Sequence, residues 1–404
     1  MLALAVLTFI NLFNYLDRYV ISALVESLKG SELRLSDTQI GSLFTGFVIV
    51  YMLTSPLFGF LGDRQSRPRL IALGVFIWSI ATCLGAFARS YATLFLARAT
   101  VGIGEAAYAT IAPALLADFF PREKRGRVFA IFFAAIPIGS AAGYILGGFV
   151  DQHYGWRKAF LLAGAPGILL AFLVLTLLDP PRGGQDEKSA SNRQQSVRQT
   201  YATLMGNGVY SATVLGYAAY TFALGAVAFW MPAFLERIRG IPRKEATVEF
   251  GAIVVVTGFV GTFAGGWIAD VLLKRWSQSY LWVSAVSSLL AAPAALIAFT
   301  SPNRTVYMSA IAVAEVLLFA STGPINSAIV NVVAPDLRAT AVATSILAIH
   351  LLGDVPSPPL VGYISDRSSL SSAFLLIPVA IALSGIIWGL TAWKIEGRFA
   401  VPAD

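Results

Sequence analysis

Four ionisable side chains stand inside long apolar runs: Asp17 and Arg18 in one, Arg98 and Glu105 in another. A charge at the centre of a membrane-spanning helix costs about 2.5–3.5 kcal/mol on insertion scales, so residues placed there mark a pathway or a proton site. Arg98 and Glu105 are seven positions apart, two helical turns, and share a face. Asn14 and Asp17 are three apart and share another. Two acids and two bases neutralise one another if these faces meet. A carboxylate in a low dielectric tends to keep its proton, and a neighbouring guanidinium reverses that preference. Such a group switches protonation when its partner moves away, which suits Asp17 and Glu105 to proton coupling. The plainer alternative is a static ion-pair cluster that fixes helix register. Arg18 and Arg98 are then charge partners, and Arg18 is also suited to an anionic head group.

The second half of the chain carries Glu315, His350 and Asp354, with no arginine at comparable depth. His350 and Asp354 are one turn apart and can touch, as a proton relay or as a helix-packing contact. Near Glu315, the run Ser321 to Pro324 and Asn326 suit a cavity wall. Tyr210, Tyr217, Tyr220 and Thr221 fall close to one helical face, and Phe129, Phe132, Phe133 and Ile136 fall close to another. Aromatic stripes are more often core or lipid-facing than ligand-binding. The expected cavity lining is Asn14, Tyr210, Tyr217, Phe129, Phe133, Glu315, Asn326, His350 and Asp354. The charge-dense loop Gly62 to Arg69, GDRQSRPR, reads as a gating element, since Asp63 precedes a helix N-terminus that favours a carboxylate. Gly59, Gly62, Asp63, Arg64 and Arg67 belong to it, with Arg64 and Arg67 expected to pair across the two halves. Asp270 and Arg275 are its counterparts later in the chain.

The elements that must position these groups are set by composition. Of 404 residues, 57% are hydrophobic and 13% charged, and the mean hydropathy is +0.72. A soluble chain carries about a quarter charged residues, so most of this surface must face lipid. Net charge is +7, but the basic residues sit in short loops between apolar runs, a membrane orientation signal and not a nucleic-acid surface. Cys83 alone excludes an internal disulfide, and two histidines with one cysteine leave no plausible zinc site, so neither metal nor cofactor is expected. The first run contains Asn11, Asn14, Asp17 and Arg18 and no small-residue cleavage pattern, so it reads as a true span and not a signal peptide.

Runs of about 20 apolar residues, enough to cross a bilayer, lie roughly at 3–25, 38–61, 70–88, 92–118, 126–150 and 157–178. Six more lie roughly at 208–235, 246–272, 279–299, 304–333, 338–363 and 372–393. The polar stretch 179–205 divides them as a linker. The expected plan is an all-α membrane protein of twelve spans in two pseudo-symmetric six-helix bundles, 1–178 and 206–404. Lys and Arg bias the linker and both termini to the cytoplasm, clearly in the first half and weakly in the second. An internal repeat supports the division: Pro137 to Ile145 and Pro356 to Ile364 share the spacing of Pro, Gly, Tyr and Ile. Parallel six-helix repeats are the plan of one transporter class, with the binding site between the halves.

GFLGDRQSRPR from Gly59, RATVGIG from Arg98 and the glycine-rich fifth span resemble the signature motifs of the major facilitator superfamily. FNYLDRYV (Phe13 to Val20), VGIGEAAYATIAPALLADFF (Val101 to Phe120) and HLLGDVPSPPLVGYISD (His350 to Asp366) resemble the Spinster family of lipid transporters. The resemblance runs through nearly the whole chain, and is poorer after the eighth span, where Asp270 and Arg275 remain. It implies proton-driven alternating access for lysophospholipids or sphingosine-phosphate-like lipids, with Asp17 and Glu105 as coupling sites and Arg18 as ion partner or head-group contact. A chain without the longer tails of animal members is expected to be a bacterial one, a monomer in the inner membrane. Two other readings keep the fold: a proton-coupled exporter of small amphipathic drugs or organic anions, and an uncoupled lipid facilitator or scramblase. A membrane enzyme would need a catalytic constellation at the bilayer surface, and none is visible.

Overall fold

A long apolar run in lipid satisfies its own backbone only as a helix. The structure, a computed structural model, follows that rule and describes residues 1–62, 64–120, 122–181, 197–333 and 337–399. Among the described residues, twelve helices are long and apolar enough to span a membrane. They are α1 (Leu2–Ala23), α2 (Asp37–Gly62), α3 (Arg67–Gly85), α4 (Tyr91–Phe119), α5 (Ile131–Tyr154) and α6 (Trp156–Val174). After the linker come α7 (Gly208–Arg237), α8 (Arg243–Leu273), α9 (Ser279–Thr300), α10 (Arg304–Ile329), α11 (Ala341–Arg367) and α12 (Leu370–Ile395). The all-α, twelve-span fold expected from hydropathy is therefore the fold of the chain.

Proline is tolerated inside these helices, as at Pro56, Pro113, Pro137 and Pro324. Helix α11 deviates more. It opens into a π-turn over His350–Asp354, where the Val355 amide donates to the His350 carbonyl at 3.0 Å, and α-helix resumes at Ser357. Pro356, Pro358 and Pro359 lack the amides that would carry the α-helical ladder through this stretch. The wider turn is the result, and π-turns of this kind are frequent at functional sites.

By packing, the chain forms two compact units, Met1–Ser191 with Ala228–Ala252, and Asn192–Val227 with Ile253–Asp404. In the first, α1 lies against α5, α2 against α4, and α3 against both α4 and α6. In the second, α9 lies against α10 and α12, repeating the pairings of α3 with α4 and α6. Helix α4 approaches α3 closely because Gly104 carries no side chain: a Cβ there would run into the Gly74 carbonyl and the Trp78 backbone. Gly143 does the same for α5, against the Leu16 carbonyl of α1. These contacts help fix the position of the helices that carry the buried charges. Gly104→Val is expected to cost about 1–3 kcal/mol by overpacking. Thermal unfolding in detergent checks this, and an unchanged Tm would show that the close approach is not required.

At the turn between α7 and α8, the segment Ala228–Ala252 is tied into the first unit by charge. Arg237 donates to Glu26 at 2.6 Å and to Asp37 at 2.5 Å, and Asp37 also accepts from Lys29 at 3.0 Å. Arg243 pairs with Asp151 and, at 2.9 Å, with Glu236.

Candidate functional site

Helices α1 and α4 bring the four intramembrane charges of the first unit together. Arg98 Nη1 donates to Asp17 Oδ1 at 3.2 Å, and Arg18 Nη2 donates to Glu105 Oε2 at 2.6 Å. Each helix contributes one acid and one base, so the pairs cross between the helices. Asp17 and Glu105 are 0% exposed and Arg98 is 1% exposed, whereas the Arg18 side chain keeps 16% of its surface open. Arg18 is also surrounded by aromatic faces: its guanidinium lies 4.9, 5.1 and 5.5 Å from the ring centres of Tyr15, Phe47 and Tyr51. An apolar wall around a partly open guanidinium strengthens whatever anion it holds.

The cluster is neutral in sum but not saturated. Glu105 Oε1, Arg98 Nε and Nη2, and Asn14 Nδ2 are buried without a hydrogen-bond partner. Burial without partners is costly, so these groups gain by finding one in another state. Thr82 of α3 completes the Asp17 side, donating its hydroxyl to Oδ2 at 2.6 Å. Sequence reading did not find Thr82; a hydroxyl beside Cys83 in an apolar span was the available signal.

Among the described residues of the second unit no such cross-pairing is present. Glu315 on α10 is 6% exposed and meets Thr257 of α8 at 3.2 Å. His350 Nδ1 and Asp354 Oδ1 touch at 2.9 Å within the π-turn, as their spacing suggested. Asn326 donates to the Tyr217 hydroxyl at 3.3 Å. Tyr210 sits apart from these residues, fully buried among Val214, Ile329, Val333 and Ala341, with its hydroxyl donated to the Ala341 carbonyl at 2.7 Å. It has no free surface with which to line a cavity here. Phe133 is 47% exposed and packs on Phe132 at 5.1 Å between ring centres. The side chain of Phe129 lies outside the described residues.

Of the residues expected to act in gating, Gly59 and Gly62 close α2, with Gly62 set against Ile111 of α4, while Asp63 lies outside the described residues. Arg64 is exposed, its guanidinium 3.6 Å from the centre of the Phe60 ring. Arg67 departs from the expected pairing across the halves. It is buried and bound within its own unit, to Asp118 at 2.5 Å, Asp179 at 2.8 Å and the Pro180 carbonyl. The reason is local: Asp118 ends α4 and Asp179 follows α6, both helices that pack with α3. Arg67→Lys keeps the charge but not the planar fork, and is expected to lower stability by about 1–3 kcal/mol, read as a Tm shift in detergent. Asp270 accepts from the Tyr280 hydroxyl at 2.9 Å, and both it and Arg275 are exposed.

Comparison with known proteins agrees with this architecture. Residues 7–353 match the family model of the Major Facilitator Superfamily. Protein spinster homolog 3 of Danio rerio is 36% identical, covering 98% of this chain and 85% of the relative. Sphingosine-1-phosphate transporter SPNS2 of Danio rerio is 32% identical, covering 97% of this chain and 84% of the relative. The crystal structure of a bacterial homolog to the human lysosomal transporter Spinster superposes with a TM-score of 0.89 at 24% identity, covering 99% of this chain and 98% of that one. With twelve spans, a full-length relative at this identity and the family model across both halves, the chain belongs to the Spinster family of the major facilitator superfamily.

Proposed function

We propose that this chain is a proton-coupled secondary active transporter of single-chain amphipathic lipids, lysophospholipids or sphingosine-phosphate-like molecules, working by alternating access. The observation that carries the reading is the crossed pairing of Asp17 with Arg98 and Glu105 with Arg18, buried at membrane depth. Four charges are expensive there as mere packing. Arg18 has two claimants, the Glu105 carboxylate and an anionic head group, and the proton on Glu105 decides between them. Its aromatic surround and open edge suit a head group followed by an acyl chain. A relative named as a sphingosine-1-phosphate transporter supports the same substrate class.

In this reading Gly59, Gly62, Asp63, Arg64, Arg67, Asp270 and Arg275 govern the conformational exchange. Asn14, Tyr217, Asn326, His350 and Asp354 line the path, together with Glu315. The protein is no enzyme, acts as a monomer, and lies in a bacterial inner membrane with both termini in the cytoplasm. Displacement of a bound fluorescent lysophospholipid tests the substrate class. Unlabelled lysolipid should compete and hydrophilic organic anions should not. Equal competition by small anions would move the assignment to the drug or anion exporter.

A further inference from the structure

Five acidic residues are buried among the described residues: Asp17, Asp37, Glu105, Asp151 and Glu315. Four of them face a cation, respectively Arg98, Arg237 with Lys29, Arg18 and Arg243. Glu315 faces none. Among the described residues the polar group in contact with it is Thr257 from α8, and Tyr220 from α7 interacts with it through space; both are uncharged. The Tyr220 hydroxyl is itself donated to the Leu318 carbonyl at 2.7 Å. An ionised carboxylate at this depth without a counter-charge would carry the full penalty of burial.

The hydrogen bonds around Thr257 bear on the same question. Its hydroxyl oxygen lies 2.6 Å from the Ile253 carbonyl and 3.2 Å from Glu315 Oε2. A hydroxyl has one hydrogen, and a carbonyl oxygen can only accept. The shorter contact therefore claims the threonine hydrogen, leaving two oxygens facing each other across 3.2 Å. A proton on the carboxyl supplies the missing hydrogen.

We propose that Glu315 is a second proton-binding site, a neutral carboxylic acid that donates its O–H to Thr257 Oγ1. It is separate from the α1–α4 cluster and lies in the other compact unit. Each unit thus holds a protonatable glutamate on a corresponding helix of the repeat, α4 and α10, one paired with arginine and one with threonine.

The test is infrared spectroscopy of the full chain in lipid at neutral pH, reading the carbonyl stretch of protonated carboxyl groups. Glu315→Gln should remove one component of that band, and Glu105→Gln should leave that component in place. Thr257→Val, which keeps the acid and removes its acceptor, should shift the component to the position of a free carboxyl, with Thr257→Ser restoring it. These outcomes do not depend on transport, so they stand or fall apart from the roles proposed for Asp17 and Glu105. Loss of an ionised carboxylate band in Glu315→Gln, with the protonated band intact, would overturn the proposal: threonine would then be the donor and Glu315 a buried anion. An unshifted band in Thr257→Val would overturn it equally.

Discussion

The double variant Asp17→Asn/Glu105→Gln is expected to show, at high pH, the conformational balance that wild type reaches only at low pH. Both acids pair with arginine in their ionised form, so the pairs persist while pH is high and weaken as it falls and protons bind. Amide side chains copy the protonated, uncharged state at every pH. The balance in the variant should therefore lose its pH dependence. Coupling free energies of this kind run at about 1–3 kcal/mol, a shift of about 5–150-fold in the equilibrium. Spin-label distance distributions between the two compact units, collected across pH, measure it. A variant that keeps the wild-type pH response would remove Asp17 and Glu105 from the coupling mechanism.

Arg98→Met is expected to be among the most destabilising single changes in the chain. It leaves Asp17 at 0% exposure with the Thr82 hydroxyl as its remaining side-chain hydrogen-bond donor and no direct ion pair. Breaking one side of a buried ion pair costs about 3–5 kcal/mol, whereas replacing both partners with uncharged groups is often nearly neutral. Arg98→Met/Asp17→Asn should thus recover most of the loss. The recovery should be large here because Arg98 leaves two of its own nitrogens unpartnered in the native state, so little hydrogen bonding is forfeited with it. Tm values in detergent for the two singles and the double give the coupling directly. A double variant no more stable than Arg98→Met would mean that Arg98 acts through packing.

Hydropathy carried the fold almost completely, since a twenty-residue apolar run admits only a helix in lipid. The ends of α1, α4 and α7 fall within a few residues of their apolar runs for that reason. Helical spacing put Glu105 on the face of Arg98, and residue chemistry marked both. It did not say which acid would take which arginine, because that depends on how α1 and α4 are rotated and how deeply each sits. Close approaches at glycines such as Gly104 and Gly143, whose effect lies in what they lack, contribute to both. Arg67 was marked by its charge and misread in its partners. Asp118 and Asp179 are 51 and 112 positions away, and only the packing of α3 with α4 and α6 brings them near. Tyr210 shows the limit of face arithmetic: it shares a helix with Tyr217, yet it is buried against α10 and α11. Thr257 went unread because a threonine in an apolar run carries no charge to mark it.

The most direct measurement is lysophospholipid movement in proteoliposomes, with and without an imposed pH gradient, for wild type and Glu105→Gln. Lipid movement that is driven by the gradient in wild type, and indifferent to it in Glu105→Gln, is the predicted result. Wild-type movement that ignores the gradient would contradict proton coupling and leave a passive lipid facilitator in its place.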